Sequence, residues 1–377
     1  LIESAAAERA PASSERSSAD SRLAGHLTRR RQRRRTVLVL LGGALLAAML
    51  AGVGSGAIAI SPAQVAAILA ERLGLDLGVE FDVRQAGVLI GIRLPRVLLG
   101  VAVGAALAAA GALLQGLFRN PLVEPGLLGL TAGGSLGAAL AIVAGGAAGL
   151  SVRGIAGTLL VPLAAFAGAL GAGALVARLA RSVDRTGTVL LLLTGISVNA
   201  FAFAGTGLLT FLADDSELRT LAFWNLGSLA GATWRELTVA VPLLGLAAIV
   251  ATRSSHALNL LALGEREAGH LGLDTERLKR RVLVISAFAA GAATAVAGTI
   301  GFVGLVVPQL VRMAVGADFR LVVPASLLGG SLLVVVADLA ARTVVAPAEL
   351  PLGLVTALLG APFFLALVLH ERRRLAA

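Results

Sequence analysis

The chain of 377 residues contains no cysteine, no tyrosine, one lysine (Lys279) and four histidines. Without cysteine there are no disulfides and no thiol chemistry. His26, His256, His270 and His370 include no pair four residues apart, so the two-histidine helix of a metalloprotease is excluded. Arg277 and Leu278 precede the lone lysine, so there is no Gly-Lys-Ser/Thr loop to cradle a nucleotide's phosphates. Nor is a hydrolase-type nucleophile elbow read in the chain. Charge is also scarce. Only 14% of residues are Asp, Glu, Lys or Arg, against about 25% in ordinary globular domains.

What is abundant is apolar length. Hydrophobic residues make up 57% of the chain and its mean hydropathy is +0.89. A bilayer core takes about 20 apolar residues per helix. Ten segments qualify: 36–57, 95–118, 126–145, 154–181, 188–213, 233–251, 282–300, 301–316, 321–345 and 351–369. The expected fold class is therefore an all-α polytopic membrane protein with one transmembrane domain over 36–370. Residues 1–35, rich in Ser, Ala and Arg, read as a disordered basic tail. The basic run 29–35 and the apolar run after it imitate a secretory signal, but the apolar run is long for a signal core and many spans follow, which favours an uncleaved first helix.

Charge distribution gives orientation. With ten crossings, 24 of the 32 Lys/Arg fall on the side of the N-terminus and eight on the other. By the positive-inside rule both termini are cytoplasmic. The net charge of +10 then reflects topology rather than a nucleic-acid partner.

On the outer side, Ser61-Pro62 reads as a helix start and a short amphipathic helix follows it. Asp214, Asp215 and Glu217 begin a second outer loop, with Trp224 and Trp234 at interfacial positions. The long inner loop 253–281 contains two short helical stretches hinged at Gly264 and Gly272, with apolar residues repeating on one face, a pattern suited to docking. Gly100-xxx-Gly104 and Gly133-xxx-Gly137 allow close helix packing. Asn120-Pro121 and Pro125-Gly126 end one helix and open the next, and this break is expected to turn the chain at the cytoplasmic face. A gapless match of 105–123 to 292–310 aligns Gly111 with Gly298 and Pro121 with Pro308, a faint internal repeat. Carboxylates inside spans, the usual sign of ion coupling, are nearly missing: Asp338 is the best candidate, and Glu124 sits at a helix break.

The ordered blocks "RLPR", "VGAALAAAGALLQGLFRNPLVEPGLLGLTAGGSLG", "LLLTGISVNAF", "FWNLGSLAGATW", "LLALGEREAGHLGL", "GTIGFVGLVVPQLVR" and "AELPLGLVTALLGAPFF" together resemble the FecCD/BtuC-type permeases. These are membrane subunits of bacterial ABC importers for ferric siderophores, haem and cobalamin. The resemblance implies a homodimer in the inner membrane, two cytoplasmic ATPase subunits carrying ATP-Mg, and a periplasmic binding protein. The chain itself would bind no metal or cofactor. It further implies that Gly264, Glu265, Arg266, Glu267, His270, Leu271 and Gly272 form the ATPase-coupling segment. Arg93, Arg96 and Arg342 match positions that meet carboxylates of the binding protein. Thr186 and Thr188 would stand near the cytoplasmic gate, with Asn199, Phe201 and Phe203 further along the pathway. Gln309 and Phe319 depart from the family, which often has His at both, so partner fit there would differ.

The resulting expectation is a permease moving an iron chelate inward by alternating access. Haem is preferred to a siderophore, with cobalamin third, because the lining is apolar and no span holds a strong iron ligand. A stand-alone secondary transporter is the rival class.

Overall fold

The computed structural model describes residues 11–56, 58–147, 155–180 and 188–376. Helices account for all regular structure among them: α1 (Pro11–Gly54), α2 (Pro62–Glu71), α3 (Val83–Val88), α4 (Leu94–Phe118), α5 (Leu130–Ala147), α6 (Ile155–Leu179), α7 (Thr188–Leu212), α8 (Asp215–Leu226), α9 (Trp234–Leu261), α10 (Glu265–His270), α11 (Thr275–Ala297), α12 (Val303–Val315), α13 (Phe319–Thr343) and α14 (Leu352–Ala376). Among the described residues eight helical stretches are long and apolar enough to cross a membrane, and α5 and α12 are shorter apolar helices. Each of the ten expected segments therefore meets a helix.

Helix starts follow local chemistry. Ser61, Asp82, Asp214 and Thr233 each form a reciprocal capping box with a Gln or Glu three residues on, which satisfies donors that the first turn leaves unpaired. The Ser61-Pro62 start appears as expected.

Two expectations are corrected. In place of a disordered tail over residues 11–35, α1 runs unbroken from Pro11 through the basic run into the apolar stretch. Its Ala, Leu, Arg and Glu residues are good helix formers, and helix propagates readily from an existing span. Residues 1–10 lie outside the described set.

The second correction concerns the Pro-Gly break. α4 ends at Arg119, a left-handed residue (φ 49°). The chain then runs back alongside α4. Gly129 packs on the Asn199 backbone, mid-way along α7, and Glu124 accepts a hydrogen bond from the Phe302 amide. From the opposite end, residues 298–302 enter after α11 and open α12, and Ser135 of α5 meets Thr299 at 3.1 Å. The two irregular segments meet in the interior, where Leu107, Glu124, Gly126, Thr299 and Phe302 line a cavity of about 30 Å³. Non-helical backbone at membrane depth is tolerated where protein buries it. Glu124 lies at the start of α12, where unpaired amides favour an anion. Starting part-way in, α5 needs only 18 residues and α12 only 13 to reach opposite ends. The gapless repeat fails here: it sets Gly111, inside α4, against Gly298, the C-cap of α11.

Glycine and alanine explain the centre. α4 is the most buried spanning helix, and α11 and α13 flank it. A Cβ at Gly104 would strike the Gly330 backbone, and one at Gly111 the Gly304 carbonyl. Gly133 and Gly168 make the same approach between α5 and α6. Dispersion contacts between close backbones hold such helices where burial from water supplies no drive. Gln115, within α4, donates to the Gly304 and Leu305 carbonyls, both at 3.2 Å, at the first turn of α12.

Candidate functional site: two charged ends and an open helix face

The three arginines at the first end, expected to meet a binding protein's carboxylates, are bonded within the chain. Arg93 is only 5% exposed. It terminates a π-helical turn (Leu89–Arg93) and donates to the Val53, Gly54 and Ile58 carbonyls at 3.0, 2.9 and 2.6 Å. It thus caps the C-terminus of α1, where a cation is favoured. Arg96, 7% exposed, donates to Asp338 at 2.9 and 3.2 Å and to Glu349 at 3.1 and 3.0 Å. Arg342 bonds the Gly52 and Ser55 carbonyls and lies 3.5 Å from Asp338. Four charged groups from α4, α13 and the 344–351 link form one network that ties α1, α4 and α13 together. Asp338, the best sequence candidate for ion coupling, is spent in this network.

The other end carries the loop that the sequence marks for docking. Gly264 (φ 128°) and Gly272 (φ 84°) bracket α10, both in conformations that disfavour side chains. Between them Ala268 is buried, whereas Arg266, Glu267, His270 and Leu271 are exposed, as is Gly272. Glu265 differs from its expected role. Its carboxylate turns inward and accepts from Thr188 at 3.1 Å and from Lys279 at 3.0 Å. Lys279 also bonds Glu276 at 3.0 Å. The only lysine is thus a buried strut joining α10 to α11, and Thr188 ties the same carboxylate to the first residue of α7. Sequence reasoning missed this strut. The signal available was Glu276 three residues before a lone lysine at the mouth of a span.

Beside it, Asp318 caps α13, bonds Arg34 at 2.8 Å and accepts from Asn259 at 2.8 Å. Burial opposes ionisation of Asp318, but bonds from Asn259 and the Arg320 amide, with the Arg34 charge, hold its carboxyl below the usual range. Phe319, expected to alter partner fit, is buried against Gly116, with the Arg312 guanidinium 4.8 Å from its ring centre. Gln309 is half-buried, and its Oε1 has no hydrogen-bond partner.

Along α7, Gly195 and Val198 pack inward, while Phe201 is 71% and Phe203 79% exposed. Asn199 is half-buried on the Gly129 backbone. Thr186 lies outside the described residues. Among the described residues no group of three His, Asp or Glu is placed to hold a metal ion. The spelling Gly-x-Ser-x-Gly does occur, contrary to the reading of the sequence, at Gly133-Gly134-Ser135-Leu136-Gly137. It lies inside α5, with Ser135 bonded to Thr299, and has none of the strand-to-helix turn that exposes a nucleophile.

Among the described residues, eight helices long and apolar enough to cross a membrane, two shorter apolar helices packed with them and a short exposed helix at one end define a multi-pass membrane protein. The chain belongs to the FecCD transport family, whose model matches residues 35–370. It is 46% identical over 285 residues to the hemin transport system permease protein HmuU of Yersinia pestis, covering 76% of this chain and 84% of that protein. It is 40% identical over 284 residues to the cobalamin import system permease protein BtuC of Halobacterium salinarum, covering 75% and 74%. A solved structure described as an inward-facing conformation of a metal-chelate type ABC transporter superposes with a TM-score of 0.76 at 31% identity, covering 89% of this chain and 99% of that one. The protein is thus an ABC importer permease, a multi-pass membrane subunit of a family whose role implies a separate ATPase and a binding protein.

Proposed function

We propose that this permease moves haem across the inner membrane as a homodimer, with the Lys279 end and both termini in the cytoplasm. The coupling segment carries the reading. α10 stands on two glycine hinges with Arg266, Glu267, His270 and Leu271 outward, and Glu265 links it to Thr188 at the foot of α7. A push on α10 by a partner ATPase would reach α7 through that carboxylate. Free energy would enter as the difference in ATPase contact between inward- and outward-facing packings.

Three observations support the rest. The basic residues gather at the α10 end, as cytoplasmic ends do. The exposed phenylalanines of α7 offer an apolar face to a second copy and to a greasy macrocycle between them. Identity to the hemin permease exceeds that to the cobalamin permease. Cobalamin remains the second reading on the strength of the latter. The binding protein would meet the outer end through groups other than the three internally bonded arginines. The deciding experiment measures which ligand, haem or cobalamin, on its binding protein stimulates ATP hydrolysis by the assembled complex. Stimulation by cobalamin alone would reject haem.

A further inference from the structure

Two adjoining cavities on the flank of α1 are not used by any step above. The first, of about 300 Å³, is lined by Arg33, Arg34, Val315, Gly316, Ala317 and Asp318. The second, of about 480 Å³, is an apolar groove between α1, α12 and α13. Val37 and Leu41 line one wall, Leu310, Val311 and Ala314 another, and Gly329 and Val336 lie on α13. The same two helices run through both. On α1, Val37 and Leu41 follow Arg34 by three and seven residues, on one helical face. On α12, Ala314 lines the groove and Val315 the basic cavity. A charged chamber and a greasy slot therefore follow one another along the same two helices, the order in which a headgroup layer and the hydrocarbon would meet them.

We propose that this composite site binds an anionic phospholipid, phosphate beside Arg33 and acyl chain in the α1–α12–α13 groove. Charge selects the class of lipid. The carboxylate of Asp318 already has the Arg34 guanidinium at 2.8 Å and the Asn259 amide at 2.8 Å, whereas Arg33 has no carboxylate partner among the described residues. With two arginines against one aspartate, the chamber keeps a positive charge for a phosphate. Basic pockets between helices at such an end are a recurring headgroup site. The groove adds no polar group to satisfy: its lining is Val, Leu, Ala and Gly throughout. A lipid held there would bridge α1 to the α12–α13 pair. Such a site requires only that the bundle span a bilayer, whichever compartment this end faces.

Native mass spectrometry of the purified permease, with phosphatidylglycerol and phosphatidylcholine of identical chains added in competition, tests this. Phosphatidylglycerol should be retained about fivefold over phosphatidylcholine, the effect of one arginine at a membrane surface. Arg33→Gln should bring the two lipids level, and Ala314→Phe, which puts a bulky side chain into the groove lining, should lower retention of both. Equal retention by the unaltered protein, or a preference that both variants leave intact, would overturn the proposal. The absence of native cysteine makes Leu310→Cys a clean probe of the alternative occupant. Oxidation in native membranes should give no disulfide-linked dimer; a strong dimer band would mean that a second copy covers the groove, and would also overturn it.

Discussion

Replacing Asp338 by asparagine isolates the network that closes the end of the bundle opposite α10. In the native protein Asp338 is 3% exposed and lies between Arg96 and Arg342. Asparagine keeps the shape and removes the charge, leaving two guanidinium groups side by side with only Glu349 to balance them. The Glu349 side chain is 43% exposed, so water screens much of what it offers. Breaking a buried pair by removing one partner costs about 3–5 kcal/mol, because the surviving charge stays buried. Glu349→Gln removes an exposed partner instead and should cost about 1 kcal/mol or less. The two variants should therefore differ by roughly 2–4 kcal/mol in unfolding by SDS in mixed micelles, a gap well beyond the roughly 0.5 kcal/mol within which independent sites add. Arg96→Met combined with Asp338→Leu should recover part of the loss, since one of the two uncompensated guanidinium groups is then gone while Arg342 keeps its bonds to the Gly52 and Ser55 carbonyls. Equal destabilisation by Asp338→Asn and Glu349→Gln, or no recovery in the double variant, would refute a buried structural network.

Gly111→Val should destabilise by about 1–3 kcal/mol or more, since its side chain meets the Gly304 carbonyl across α4 and α12; a loss of folded protein on size-exclusion chromatography would register it. Gly171→Ala, where nothing lies within 4 Å of the new methyl group, is the matched control and should be near neutral. Lys279→Met should leave the bundle folded but loosen α10 from α11 and Thr188, lowering substrate uptake more than ATP hydrolysis in the assembled complex; equal loss of both would argue for simple misfolding. Gly264→Ala places a side chain at φ 128°, a strain of about 1–3 kcal/mol, and should weaken pull-down of the ATPase subunit while lowering the thermal stability of the isolated permease only modestly.

The ten apolar helices were legible because hydropathy alone demands them, and glycine-to-glycine spacing foretold where backbones approach. The short helix α10 was legible because Gly264 and Gly272 punctuate a short apolar-faced stretch. What the sequence hid was pairing at long range. Arg96 and Asp338 stand 242 residues apart, so an arginine that reads as an exposed rim charge is internal. Glu265 reads as a surface contact in a charged loop, but Lys279 and Thr188 draw it inward. The return of residues 120–129 into the interior was equally hidden. Proline and glycine announce that a helix ends, and only the Phe302 amide and the Asn199 backbone show which way the chain then goes.

Uptake of labelled haem into proteoliposomes that contain this permease, its ATPase and its binding protein tests the central claim most directly. Accumulation should require ATP, the binding protein and an ATPase subunit able to hydrolyse, and should stop when that subunit is catalytically dead. Gradient-driven haem uptake by this chain alone would contradict it.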